Sequence, residues 1–427
     1  MRPPVVKNRD RIEKTQRRKE ALDLIESMLA ENDPALRVEG AVRGLKLGES
    51  VKVLAFGKAS QAMFEGARRA LGGKYSRAAV VVPEGEDIWV EGHDLEVYTA
   101  THPDVSQKSV EAAQLSIEHL GPFGEGDDVL VLISGGGSAM FELPAQGLDA
   151  ERIMEVSRCV MDAGGDIYEL NAVRALMSRV KAGGLAVMLY PARVHGLVVS
   201  DVMGDDLSVI ASGPLTMLRD TRRVEEALRK FRERCLPGVM VQQVGERSDP
   251  RYFERVEQQI VLSNSDFVQS GIRYLASRRV DFVSFGSNLR GEVSEFSRRL
   301  AQALRQAYSL RGSPFWFVCG GETTVQVRGN GRGGRAQELV LRFMEEMGDD
   351  EDFLLACFGT DGIDGRSDAA GGISDNWLRE RVGRDEVERY LAGSDSGTLL
   401  MSRDSAIVTG RTGNNVSDIM VGYYGRR

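Results

Sequence analysis

The sequence is poor in the residues on which several common chemistries depend. Its four histidines, His93, His102, His119 and His195, have no partner at metal-binding spacing, so neither a zinc site nor a Ser-His-Asp arrangement can be read from them. His102 follows an apolar run and is the one histidine placed to touch a ligand; the others read as structural or solvent-facing. The four cysteines, Cys159, Cys235, Cys319 and Cys357, form no CxxC pair and read as reduced, mostly buried thiols. No apolar run reaches the roughly 20 residues of a membrane-spanning helix. Met1-Arg2-Pro3-Pro4, followed by a charged stretch, lacks the apolar core of a signal peptide. A net charge of −8 speaks against broad nucleic-acid binding, which asks for a basic surface. The expectation is a cytoplasmic protein without nucleic-acid or membrane partners.

Lysine is missing beyond Lys230, so residues 236–427 have none. A catalytic lysine must therefore come from the first half. A cation offered to phosphate by the second half must be arginine, whose planar fork suits bidentate contact.

Glycine is abundant. The chain has 48 glycines in 427 residues, above the average usage of roughly 7%, and they cluster in short loops directly after apolar runs. Such loops let backbone N–H groups approach an anion with no Cβ in the way.

Short apolar runs alternate with helical periodicity. In the first half, strands are expected at 51–56, 78–82, 95–99, 129–133 and 196–200, with helices over 11–31 and 107–120. This pattern predicts an α/β fold whose N-terminal domain is a doubly wound, mostly parallel, Rossmann-like sheet. In the second half, strands are expected at 259–262, 282–284, 315–318, 323–327, 354–358 and 406–409, with helices near 265–278, 291–309 and 335–347. The chain length suits two cores, divided as 1–235 and 236–427, with the last residues free to pack back on the first domain.

Six polar loops follow these runs. Phe56-Gly57-Lys58-Ala59 puts a lysine where a helix N-terminus already favours anions. Ser134-Gly135-Gly136-Gly137-Ser138 makes a donor-rich nest for phosphate or carboxylate. Ser200 to Asp206 holds Asp201, Asp205 and Asp206, whose mutual repulsion calls for a cation or a base role; an N-cap and turn role accounts for at least one of them. Residues 329–334 satisfy GxGxxG, but they carry Arg332 and lead into Arg335, which a dinucleotide bridge does not need and phosphoryl transfer uses. Residues 359–368 space aspartates like an oxygen-ligand loop, without the glutamate that completes an EF-hand. Residues 409–415 close the set.

The order FGKA, THP-D--S, SGGGSA, SRVKAGG, SDVMGDD, ASGP, GGETTV, GR-QE, GTDGIDG-SDAAG and TG-TGNNVSD resembles the class II glycerate 2-kinase family, from about Val51 to Val421. The resemblance implies a nucleotide-kinase-like N-terminal domain, a C-terminal α/β MOFRL domain and an active cleft between the two. It implies Mg²⁺-dependent transfer from ATP to the 2-hydroxyl of D-glycerate. Lys58 and Arg335 match the family's catalytic cations. Ser134, Gly135, Gly136, Gly137, Ser138, Lys181, Glu322, Thr323, Asp361 and Asn415 are the expected binding residues. Asp201 is expected to orient or deprotonate the hydroxyl, a role that Asp205 could also fill, and Asp201, Asp205 and Asp361 are the expected Mg²⁺ ligands. A homodimer stays open. Two positions depart from the family pattern: Ala336 where asparagine is usual, and Arg411 where proline is common. The alternatives are an NAD(P)H-dependent hydroxypyruvate reductase, suggested by 329–334, a glycerate 3-kinase, and a nucleotide-binding regulator without turnover.

Overall fold

A computed structural model describes residues 6–239, 241 and 244–427; the opening Met1–Pro4, read above for a signal peptide, lies outside them. The chain divides into two compact units, one spanning Pro34–Leu262 and the other combining Met1–Asp33 with Ser263–Arg427.

The Pro34–Leu262 unit is built on six strands: β1 (Ser50–Phe56), β2 (Arg77–Pro83), β3 (Leu95–Ala100), β4 (Asp127–Ile133), β5 (Arg193–Val199) and β6 (Val256–Leu262). All pair in parallel, in the order β3-β2-β1-β4-β5-β6. Their apolar character follows from this arrangement. A parallel sheet takes its crossovers across both faces, so β1 and β4 are buried at nearly every position. The order is that of the dinucleotide-binding doubly wound sheet, which reverses direction between β1 and β4. There Phe56 lies opposite Ile133 in register, so the loops that follow them leave the sheet side by side.

The other unit carries β7 (Phe282–Glu292), β8 (Phe315–Thr324), β9 (Glu351–Gly359), β10 (Gly371–Asp375), β11 (Ala406–Ile407) and β12 (Asp418–Arg426), in the order β11-β10-β9-β12-β8-β7. Only β7 and β8 are parallel. The C-terminal strand β12 occupies the middle of this sheet, antiparallel to both β8 and β9. Its first residue, Asp418, is paired with Gly321 on one side and Gly359 on the other. The loops that leave β8 and β9 are thereby gathered around the start of β12.

The division expected at 235/236 is displaced at both ends. β6 belongs to the parallel sheet through its pairing with β5, which moves that boundary to Leu262. The N-terminal helix Gln16–Glu31 joins the mixed-sheet unit because Arg18, with 0% exposure, is bidentate to Asp375 at 2.8 and 2.9 Å. Such a pair anchors a helix strongly, since removing either partner strands a buried charge. The last residues form a central strand of the second sheet. The strand expected at 323–327 is not separate, since β8 runs unbroken to Thr324. The four cysteines are not all thiols either. Cys159 and Cys235 form a disulfide across a sequence separation of 76, while Cys319 and Cys357 are free and buried. The helices Ala150–Asp162 and Thr221–Cys235 both pack on helix Ile167–Met177, which brings the two Cα atoms to 5.5 Å. Spacing along the chain carries no sign of that.

Candidate functional site

In the parallel-sheet unit the loops after β1 and β4 are fastened to each other. Lys58 N–H donates to the Gly135 carbonyl at 2.9 Å, and Ala59 N–H donates to Ser134 Oγ at 2.9 Å. Gly57 adopts φ 109°, and a Cβ there would fall 2.5 Å from Ser134 Oγ, so the approach requires glycine. Gly136 has φ 82°; a Cβ on it would lie 2.9 Å from His102 Cδ2 and 3.5 Å from Lys58 Cγ. The glycine loop is thus bordered by a lysine and an imidazole, at the reversal point where ligands bind such sheets. Asp201 and Asp205 follow β5, the next strand along, on a half-buried loop where Asp205 takes φ 56°. Asp206 is engaged in a turn, accepting from the N–H and Oγ of Ser208 at 2.9 and 2.6 Å. That is the turn role expected for at least one of the three.

Lys181, expected as a binding residue, lies in the interior of the parallel-sheet unit. It is 1% exposed and its Nζ is paired with the Glu142 carboxylate. Burial pushes its pKa down, against the pull of Glu142. Arg247 closes the same interior, donating to the carbonyls of Ala175, Ser178 and Lys181 at 2.8, 2.5 and 2.9 Å.

The mixed-sheet unit builds its site around Arg335, the first residue of helix Arg335–Glu346. Its Nε and Nη2 donate to Asp418 at 2.6 and 3.1 Å, and its Nη1 is paired with Glu322. Burial works against its charge, yet the two carboxylates hold its pKa above the ordinary arginine value. Asp418 feels burial most, and that pushes its carboxyl up to about 6 despite Arg335. Asp364 accepts from the N–H groups of Ala336 and Gln337 at 3.2 and 2.8 Å, stabilising the helix N-terminus. Burial, with Asp418 nearby, raises it to about 7.

The neighbouring loops hold this cage in shape. Asp361 Oδ1 accepts from Ile363 N–H at 3.1 Å, and the Asp361 carbonyl accepts from Thr412 N–H at 3.3 Å. A Cβ on Gly362 would collide with the Gly410 carbonyl at 1.9 Å. Asn415 is buried, its N–H donating to Asn414 Oδ1 at 2.8 Å. Thr323 is 1% exposed, and its buried Oγ1 has no partner among the described residues.

The glycines at 329–334 do not form a dinucleotide cradle. A Cβ at Gly329, Gly331 or Gly333 would fall 2.6, 2.4 or 2.3 Å from Gly393, Asp395 or Ser396 of the same unit. They are small because another segment of the chain already fills the space. The dinucleotide-type strand order belongs to the other unit.

Residues 13–246 match a family described as a domain of unknown function (DUF4147), and residues 315–418 match the MOFRL family. The chain is 40% identical over 424 residues to a glycerate 2-kinase of Picrophilus torridus, covering 98% of this chain and 99% of that one. It belongs to the glycerate kinase family with a C-terminal MOFRL domain. A D-glycerate 2-kinase of Thermotoga maritima is 33% identical over 415 residues, which are 95% of this chain and 98% of that one. The crystal structure of a glycerate kinase from Thermotoga maritima gives a TM-score of 0.83 at 31% identity, covering 95% of this chain and 98% of that chain.

Within the family pattern, the two departures fall in contrasting places. Ala336 has 0% exposure among apolar side chains, so an amide there would have to find buried partners. Arg411 is exposed. Among the described residues, no three His, Cys, Asp or Glu side chains gather as a metal site. Asp201 and Asp205 stand in one unit and Asp361 in the other. Two residues around Arg335 and its helix start were not named as site residues from the sequence: Asp418, the final letter of TGNNVSD, and Asp364, the second aspartate of GTDGIDG.

Proposed function

We propose that the protein transfers the γ-phosphoryl group of ATP to the 2-hydroxyl of D-glycerate, giving 2-phosphoglycerate and ADP. The observation that carries this reading is the convergence of Lys58 and the 134–138 loop at the reversal point of a Rossmann-order sheet, in a chain resembling glycerate 2-kinases over its whole length. The loop amides and Lys58 hold the phosphate tail. The glycerate oxygen attacks the γ-phosphorus in line as the bond to the β,γ-bridging oxygen breaks. The hydroxyl proton passes to a carboxylate, for which Asp201 is placed at the carboxyl end of β5 and Asp205 lies on the same loop. Arg335, pre-set by Asp418 and Glu322, stabilises charge spreading over the transferred oxygens.

Mg²⁺ fits the half-buried carboxylates of Asp201 and Asp205, because it commonly takes one or two carboxylates and completes its shell with phosphate oxygens and water. When bound it neutralises charge on the phosphate tail. Asp361 offers the same hard oxygen chemistry in the mixed-sheet unit. Reliance on ATP suits a cytoplasmic setting, and no helix among the described residues is long and apolar enough to cross a membrane.

The test is phosphoryl transfer from ATP to D-glycerate, coupled through enolase and pyruvate kinase. Signal without added phosphoglycerate mutase is the expected result. Signal only with mutase would move attack to the 3-hydroxyl, and oxidation of NAD(P)H by hydroxypyruvate without any phosphoryl transfer would replace the kinase by a reductase.

A further inference from the structure

The Pro34–Leu262 unit contains a cavity of about 360 Å³ that the transfer step leaves unused. Its floor is made of two left-handed turns fastened to each other. Ala182 and Gly183 take φ 49° and 84°, and Ala211, Ser212 and Gly213 take φ 51°, 61° and 63°. Ala182 N–H donates to the Ser212 carbonyl at 2.9 Å, and Gly183 N–H donates to the Gly213 carbonyl at 2.8 Å. Three consecutive residues at positive φ, two of them not glycine, are costly. Such strain persists where the surroundings enforce it, commonly at ligand sites. Ala182, Ser212 and Gly213 all line the cavity.

The walls say what would fit. Ala172, Ala175, Val209, Leu218 and Val224 make them largely aliphatic, and Tyr168 stands at the rim, 47% exposed, with the Arg223 guanidinium 5.5 Å from its ring centroid. One lining side chain carries a buried polar atom with no partner among the described residues. Asn171 accepts from Ser212 Oγ at 2.9 Å through Oδ1, while its Nδ2 is buried and unbonded among the described residues. An aromatic rim, apolar walls and one unpaired amide donor suit a flat heterocycle with an acceptor on its edge. A three-carbon hydroxy acid would leave most of this space empty and most of the walls unmatched. The cavity also adjoins the phosphate loop: a Cβ on Gly137 would come 3.1 Å from Ala211 Cβ, so the strained turn packs directly on the 134–138 loop.

We infer that this cavity is the nucleoside subsite, with Tyr168 stacking on the base and the Asn171 Nδ2 donating to its edge. The inference rests on the kinase reading for its ligand, but it can be tested apart from turnover. Calorimetric titration of the full chain with ADP, inorganic tripolyphosphate and D-glycerate is compared across the wild type, Ala172→Phe and Tyr168→Ala. ADP affinity is expected to fall about ten-fold or more in Ala172→Phe and several-fold in Tyr168→Ala, with tripolyphosphate unchanged. Unaltered ADP binding in both variants would overturn the assignment. So would an equal loss of tripolyphosphate binding, or a loss confined to D-glycerate. If Ala172→Phe does not fold, Tyr168→Ala, at an exposed position, decides alone. Base-dependent ADP binding in a protein that fails to phosphorylate glycerate would sink the kinase reading and leave the subsite standing.

Discussion

The two units present their candidate cations in different ways. In the parallel-sheet unit, Lys58 borders a glycine loop whose donors are backbone amides, and that loop comes from sequence-local motifs on two adjacent strands. In the mixed-sheet unit, Arg335 is locked between Asp418 and Glu322, residues 83 and 13 positions away in the chain. A lysine on a flexible stem follows a charged tail as a point charge. An arginine fork fixed by carboxylates keeps one orientation, which suits charge that develops only in the transition state. The units also differ in how they are held together: a disulfide staples helices in one, and the other keeps Cys319 and Cys357 as buried thiols.

The largest expected effect breaks the arginine cage. Asp418→Ala leaves Arg335 half-buried with Glu322 alone, and should cost about 3–5 kcal/mol in urea unfolding together with most of the activity. A variant as stable as wild type would mean that Asp418 does not hold the cage. Next in size is the staple. Reduction of Cys159–Cys235 with dithiothreitol should destabilise the parallel-sheet unit by about 4 kcal/mol on the loop-entropy argument for a 76-residue span. The unfolding of the mixed-sheet unit, followed by hydrogen exchange, should not move. Gly136→Ala forces a side chain into φ 82° and against His102, costing about 1–3 kcal/mol and weakening ATP more than glycerate.

The pH dependence is the finest contrast. Asp364 has a folded pKa of about 7 against an unfolded value of 3.8, so the native state binds the proton more tightly. Its contribution to stability is complete below about pH 4 and is lost as pH rises through about 7. Asp364→Asn should therefore gain stability relative to wild type as pH climbs across that window, measured by urea midpoints. A pH-independent difference would remove burial of the charge as the cause.

These tests also mark what could be read before the fold was known. The parallel sheet was legible because its adjacent strands β1 and β4 are buried apolar runs, each followed by a glycine loop, so Lys58 and Ser134–Ser138 announce themselves locally. β12 was not, since Gly422 and Gly425 interrupt its apolar pattern and no helix follows it. With it went Asp418, whose role depends on a strand entering the middle of a sheet. The boundary near 235 misled for a similar reason. Residues 219–256 are polar and arginine-rich in sequence, yet within them Val224, Ala227 and Phe231 bury one face of helix Thr221–Cys235. Lys181 was named through the SRVKAGG motif, and its burial beside Glu142 is a feature that the motif alone does not show.

The division of labour between the units is tested most directly by the steady-state kinetics of Arg335→Ala with ATP and D-glycerate. The account predicts a fall in kcat of at least ~10²-fold with ATP affinity nearly unchanged. A near-normal kcat with only a raised KM would make Arg335 a binding residue and contradict the account.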